Sequence, residues 1–265
     1  MNKDMKIWAV SNQKGGVGKT TTVVSLGGLL SSWGYKTLLV DLDPHGSLTS
    51  YFKHNPDTIK LSVYNVFQNA SRKHKDFNPR PYILKTEFPE LSILPASTAI
   101  ATLDRQVASL GGMGLVISNA LAEVADDYDF VIIDSSPMLG VLMVNALAAC
   151  DYLLVPVTTE YLALQGLDRI INTIKMVFKS RKTPPGFKII PTMFDKRTKA
   201  AMGCRASVLE KYPENAWDQY IPIDTKLREA SSLGVPASIY DSTSKAVSSY
   251  SNLLDELLEK NASNG

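Results

Sequence analysis

The chain is short of the residues that cross-link a protein, hold a transition metal or anchor it in a membrane. Its 265 residues include two cysteines, Cys150 and Cys204, and three histidines. The cysteines stand far apart and outside any metal-ligand spacing, so neither a disulfide framework nor a zinc site is expected. No apolar run reaches the roughly 18 residues of a membrane span and no secretory signal is present, so a cytoplasmic protein with no membrane contact is expected. Charge of neither sign dominates: 28 Lys and Arg against 26 Asp and Glu leave a formal net charge of +2. Attraction to nucleic acid would therefore need a local patch, because there is no global field to supply it. Internal repeats are absent too. With 45% hydrophobic and 20% charged residues the composition suits one large core, and we expect a single domain over residues 1–260 followed by a flexible tail, 261–265.

What the chain does have is the run Lys14-Gly15-Gly16-Val17-Gly18-Lys19-Thr20-Thr21. A phosphate-binding loop ordinarily reads Gly, four residues, Gly-Lys-Ser/Thr. Counting back from Gly18-Lys19-Thr20 puts Gln13 at the first position, so this loop is a variant. It lies between an apolar run, residues 5–11, and a stretch of helical length and spacing, residues 20–33. In that setting the amides of Gly15 to Thr21 can close on phosphate oxygens at the positive end of a helix. Lys19 can reach the β- and γ-phosphates, and the Thr20 hydroxyl can hold Mg²⁺. A nucleoside triphosphate with Mg²⁺ is the expected ligand pair. The extra lysine, Lys14, would crowd positive charge onto its own loop unless phosphate neutralises it from both sides of an interface.

Apolar runs at 36–42, 130–134, 152–157 and 187–193 alternate with amphipathic stretches. That rhythm predicts an α/β fold, a doubly wound and mostly parallel sheet flanked by helices, with ligands at the carboxyl ends of the strands. Residues 51–90, with the basic run at 71–75, break the rhythm and are expected to form an inserted helix and loop region on the surface. Asp41 and Asp43 stand two apart where the second run ends, and so point the same way, able to hold Mg²⁺ through water or to orient an attacking water. Asp134 closes the apolar run FVIID in the manner of a Walker B strand, placed for the Mg²⁺ water shell.

The run from Lys14 to Thr20 resembles the deviant Walker A loop of the ParA/MinD family of dimerising P-loop ATPases, and the likeness covers nearly the whole chain. The resemblance implies that Lys14 crosses to the partner's phosphates in an ATP-dependent homodimer. It further implies that Lys14, Lys19 and Asp43 form the catalytic set, with Asp43 positioning the hydrolytic water and Asp41 supporting metal and loop. His45 stands where many relatives carry glutamine. Pro222 and Asp224 match the loops that hold the purine. Lys196, Arg197, Lys199, Arg205, Lys226 and Arg228 fall where relatives hold DNA backbone without sequence preference; a solvated basic face fits them as well.

Within the family the stretches DPHGSLTSY (43–51), LGVLMVNAL (139–147), EYLALQG (160–166) and PTMFDKRT (191–198) are nearest to the ParC subgroup, bacterial ATPases that position chemotaxis arrays at cell poles. Plasmid or chromosome partition is the alternative. Either implies a partner that stimulates a weak ATPase or marks a pole, and a place on the nucleoid or at the poles. The nitrogenase iron protein shares loop and fold, and Cys150 would be its single cluster ligand per subunit, with no second in the expected region. A non-hydrolysing scaffold is the other remote reading. The last helical stretch, 244–260, sets Val247, Tyr250, Leu253, Leu254, Leu257 and Leu258 on one face. Its polar face carries Asp255, Glu256 and Glu259, the wrong balance for the membrane-targeting tail of MinD.

Overall fold

Strands covered on both faces have no polar side, and the runs KIWAV, TLLVDL and FVIIDS are of that kind. The computed structural model describes residues 5–71, 78–103, 113–179, 181 and 183–263. Its sheet has seven strands in the order β3-β4-β2-β5-β1-β6-β7. These are β1 (Lys6–Val10), β2 (Thr37–Leu42), β3 (Leu84–Lys85), β4 (Leu91–Leu94), β5 (Phe130–Ser135), β6 (Tyr152–Thr158) and β7 (Gly186–Thr192). All pair in parallel except β3, which runs antiparallel to β4 at one edge.

Alternate side chains feed two core layers. Ala9, Leu38, Val40, Val131 and Ile133 face one layer, and Trp8, Val10, Leu39 and Ile132 face the other. The first is covered by α3 (Val63–Ser71), α4 (Val116–Ala122), α5 (Val141–Ala149) and α6 (Tyr161–Phe178), through residues such as Phe67, Ile117, Leu147 and Ile170. The second is covered by α1 (Lys19–Ser32) and α10 (Lys245–Ser263), through Leu26, Leu30, Leu253 and Leu257. Tyr250, buried within α10, places its hydroxyl 3.0 Å from Thr22 Oγ1 and so ties the last helix to the first.

Residues 51–90 are more than a surface insertion. Val63, Val66 and Phe67 of α3 are fully buried, and β3 joins β4, which follows directly after the region, in extending the sheet. Two and four residues are too few for a period to show, which is why these strands escape the pattern. The basic run at 71–75 lies, after Ser71, outside the described residues. At the other end α10 continues past residue 260 to Ser263, because Lys260, Asn261 and Ala262 include no helix breaker.

Helix α1 is wedged so tightly that it needs glycine. A Cβ on Gly28 would stand 2.5 Å from Pro236 Cβ and 2.9 Å from Ser238 Oγ, and a proline ring cannot swing aside. Gly28→Ala should therefore lower unfolding free energy by about 1–3 kcal/mol from overpacking, despite alanine's better helix propensity. Denaturant titration reads this directly, and a variant as stable as the parent would show that α9 (Ala237–Tyr240) yields.

Candidate functional site

The phosphate-site residues gather at the carboxyl edge of the sheet: the loop between β1 and α1 with the first turn of α1, the end of β2 and the loop after it, and the end of β5. The loop from Ser11 to Gly18 leaves β1 and enters α1 with Gly16 at φ 73° and Gly18 at φ 89°, left-handed values that favour glycine. A Cβ on either would meet nothing within 4 Å, so open space lies above the loop. No side chain caps the start of α1 and its first turn holds no acid, which leaves the helix amides to an anion.

The loop is braced from behind. Asn12 Oδ1 accepts from the Lys14 amide at 3.0 Å while its Nδ2 donates to the Pro156 carbonyl at 2.8 Å. Thr192 donates to the Val17 carbonyl at 2.9 Å. Gly15, Gly16, Gly18, Lys19, Thr20 and Thr21 line a cleft of about 450 Å³ together with Asp43, His45 and Tyr51.

The acids meet because β2 and β5 are neighbours in register, with Asp41 opposite Asp134. Thr20 donates to Asp134 Oδ2 at 2.6 Å, and the other oxygen, Oδ1, is buried with no partner among the described residues. Burial, reinforced by the nearby charge of Asp41, pushes the Asp134 carboxyl up to about 8. Asp41, raised to about 6 by burial, is taken up by its own loop: it accepts from the Asp43 amide and from both the amide and hydroxyl of Thr49. It shapes the loop more directly than it could serve a metal.

An orphaned carboxylate oxygen beside a threonine hydroxyl, with the largely buried Asp43 facing the same cleft, is an oxygen-only donor set. That set fits Mg²⁺, which takes one or two protein oxygens and completes its shell with phosphates and water. Among the described residues no group of three His, Cys, Asp or Glu could hold a metal by itself.

Lys14 is held within its own chain. Its ammonium lies 3.3 Å from Thr158 Oγ1, at the end of β6, and 2.9 Å from Glu160 Oε2, at the start of α6. Gln13 reaches Thr173 of α6 at 3.2 Å.

A family model described as an AAA domain matches residues 5–185. The sporulation initiation inhibitor protein Soj of Bacillus subtilis is 34% identical over 253 residues, covering 95% of this chain and 98% of that one. The chromosome partitioning protein ParA of Myxococcus xanthus is 34% identical over 258 residues, covering 96% and 88%. The chain belongs to the ParA/Soj family of P-loop ATPases.

Among solved structures, cobyrinic acid a,c-diamide synthase from Mycobacterium smegmatis with bound ADP and magnesium matches with a TM-score of 0.83 at 32% identity, covering 98% of this chain and 97% of that one. The McdA–ATP complex from Cyanothece matches at 0.82 and 21% identity over 95% and 96% of the two chains, a likeness of fold.

For a ParA/Soj ATPase the base needs a wall beside the loop. Gly18 and Thr21 share a second cleft, of about 510 Å³, with Met193, Ile221, Pro222, Ile223, Asp224 and Arg228. Asp224 Oδ1 accepts from the Lys226 amide at 2.9 Å, capping α8 (Thr225–Leu233), and Oδ2 accepts from Ser244 at 2.8 Å and from the Ala246 amide at 3.2 Å. Its carboxylate thus fixes the cleft wall.

The basic residues divide. Lys196 and Arg197 line a separate cleft, whereas Arg228 lines the cleft shared with Gly18 and Thr21. Lys196 and Lys199, at the start of α7 (Lys199–Lys211), are exposed, while Arg197 is forked onto Asp195 at 2.9 and 2.7 Å. Arg205 donates to the Asp218 carbonyl, and Lys226 pairs with Glu229 at 2.9 Å.

Sequence reasoning missed Asn12, Thr192 and Glu160 as braces of the loop. Glu160 had a signal, since it follows the carboxyl end of an apolar strand.

Because Asp134 is a buried acid with an unmet oxygen, Asp134→Asn should leave the ligand-free protein at least as stable. It should also weaken Mg²⁺-dependent nucleotide binding about tenfold or more. Thermal shifts with and without Mg-ATP test this; an undiminished Mg-ATP shift would remove Asp134 from the metal's surroundings.

Proposed function

We propose that this ParA/Soj ATPase is a partition-type switch: Mg-ATP licenses a homodimer, the dimer engages DNA and a partner protein, and hydrolysis dissolves it. The observation that carries this is Lys14, a cation beside the phosphate cleft whose only close counter-charge among the described residues is Glu160. Both are well exposed, 40% and 68% for the side chains, and exposed pairs contribute little, about 0–1 kcal/mol. A charge-assisted bond to phosphate is stronger, so γ-phosphate presented across a dimer face can draw Lys14 away.

The chain's own groups then divide the work. Loop amides and Lys19 bind the phosphates, and Asp43 orients water against the γ-phosphorus. Thr20 and Asp134 would hold Mg²⁺, which would supply neutralisation of the phosphate charge. Pro222 and the wall fixed by Asp224 seat the base. Lys196, Lys199 and Arg228 are offered to DNA backbone.

Relatives named for chromosome partition support a partition cargo. The chemotaxis-array cargo expected from the sequence rests on the four quoted stretches alone, so partition replaces it as the favoured assignment. No described helix is long and apolar enough to cross a membrane.

Asp43→Ala should keep nucleotide affinity and the ATP-bound dimer while hydrolysis falls by about 10²-fold. Lys19→Ala should lose phosphate binding and remain monomeric, and Lys14→Ala should bind ATP without dimerising. Affinity, turnover and light scattering on the three variants separate these roles; an Asp43→Ala protein with parental turnover would move catalysis elsewhere.

Glu160→Gln removes the charge that holds Lys14, so half-maximal dimerisation should need several-fold less ATP. An unchanged ATP requirement would make the Lys14–Glu160 pair incidental.

A further inference from the structure

His45 lines the phosphate cleft and has no part in the scheme above. Its ring Nδ1 lies 2.8 Å from Asp43 Oδ1, and its own backbone N–H reaches the same oxygen at 3.0 Å. An ionised carboxylate only accepts, so Nδ1 donates in this contact. The backbone beneath is already fixed, with the Asp43 amide on Asp41 Oδ1 at 3.1 Å, the Gly46 amide on the Asp43 carbonyl at 2.8 Å, and Pro44 between them. What remains free in Asp43 is rotation of its carboxyl group, a broad and roughly two-fold torsion. Two donors on one oxygen remove that freedom, and among the described residues Oδ2 is left to the cleft.

We propose that His45 is a positioning residue for hydrolysis: it clamps Oδ1 of Asp43 so that Oδ2 is held toward the attacking water. This rests on the assignment of Asp43 as the water-orienting acid. The division of exposure fits, for the acid's side chain is 12% exposed and the clamp 76%. A change at His45 therefore leaves the core untouched, and the clamp sits where a second subunit or a stimulating partner can reach it.

The test compares His45→Ala with His45→Asn, whose side-chain amide can place a donor near the position of Nδ1. Turnover, KM for ATP, affinity for a fluorescent ATP analogue and dimer fraction by light scattering are measured beside Asp43→Ala. His45→Ala should lower kcat about tenfold with KM, affinity and dimer fraction within twofold, because a small misplacement of a water-orienting group is costly. His45→Asn should recover most of the loss, and the double variant Asp43→Ala/His45→Ala should be no slower than Asp43→Ala, since the two act as a unit.

Parental kcat in His45→Ala alongside a crippled Asp43→Ala would overturn the proposal, as would an Asn variant no better than Ala. A kcat loss that tracks loss of dimer would also overturn it, making His45 an interface residue instead. Parental turnover in Asp43→Ala would instead sink the assignment of the acid itself.

Discussion

Negative charge gathered at one edge of the sheet is the condition the rest of the site answers. Register places Asp41 opposite Asp134 at the ends of two buried strands, and the loop after β2 adds Asp43. A triphosphate brings further negative charge to the same cleft. At a separation of 4 Å and an effective dielectric of 20, two like charges repel by about 4 kcal/mol, so such a cleft works only with cations in it. Lys19 is buried beside it, the bare start of α1 faces it, and Asp134 is pushed up to about 8. Burial beside Asp41 disfavours a bare charge on Asp134, and a divalent ion at that edge would relieve it. Nucleotide and metal are thus bound as one neutralised unit.

The same accounting explains why the variant lysine is suited to switching. A lysine inside the cleft, like Lys19, is committed to its own nucleotide. Lys14 lies one residue before the glycine pair and turns outward to Glu160 at the start of α6. An exposed ion pair of that kind is weak and screened by salt, so it can hold the lysine in a defined place while opposing its transfer only modestly. Gln13, the residue before Lys14, donates to Thr173 and so ties the same loop to α6.

The phosphate loop, Asp43 and Asp134 are legible in the chain because each depends on local chemistry: glycines where a left-handed backbone is needed, and an acid where an apolar strand ends. The sheet's middle strands are legible because burial on both faces leaves continuous apolar runs. What could not be read is what arrives from far away in sequence. Thr192 closes on Val17 across 175 residues and Glu160 on Lys14 across 146, and neither carries a spacing that marks it. Strands β3 and β4 are too short to show a period. Asp224 illustrates a subtler gap: its position beside the base cleft follows from resemblance, but its use as a cap joining α8 to α10 is visible only once both helix starts are in place.

The arrangement of the basic residues bears on how DNA binding could follow dimerisation without any moving element. Arg197, Arg205 and Lys226 are already engaged by Asp195, the Asp218 carbonyl and Glu229, which leaves Lys196, Lys199 and Arg228 as the most available cations of the set. Each phosphate neutralised on duplex DNA contributes about 0.9 to the slope of log affinity against log salt. Three contacts per subunit make a weak, salt-sensitive interaction at cellular ionic strength. A dimer doubles the number, and because the second set is tethered to the first it binds at high effective concentration. On the proposed reading, pairing two subunits through ATP would by itself raise affinity for DNA, and the cleft and the DNA face would need no link beyond the dimer.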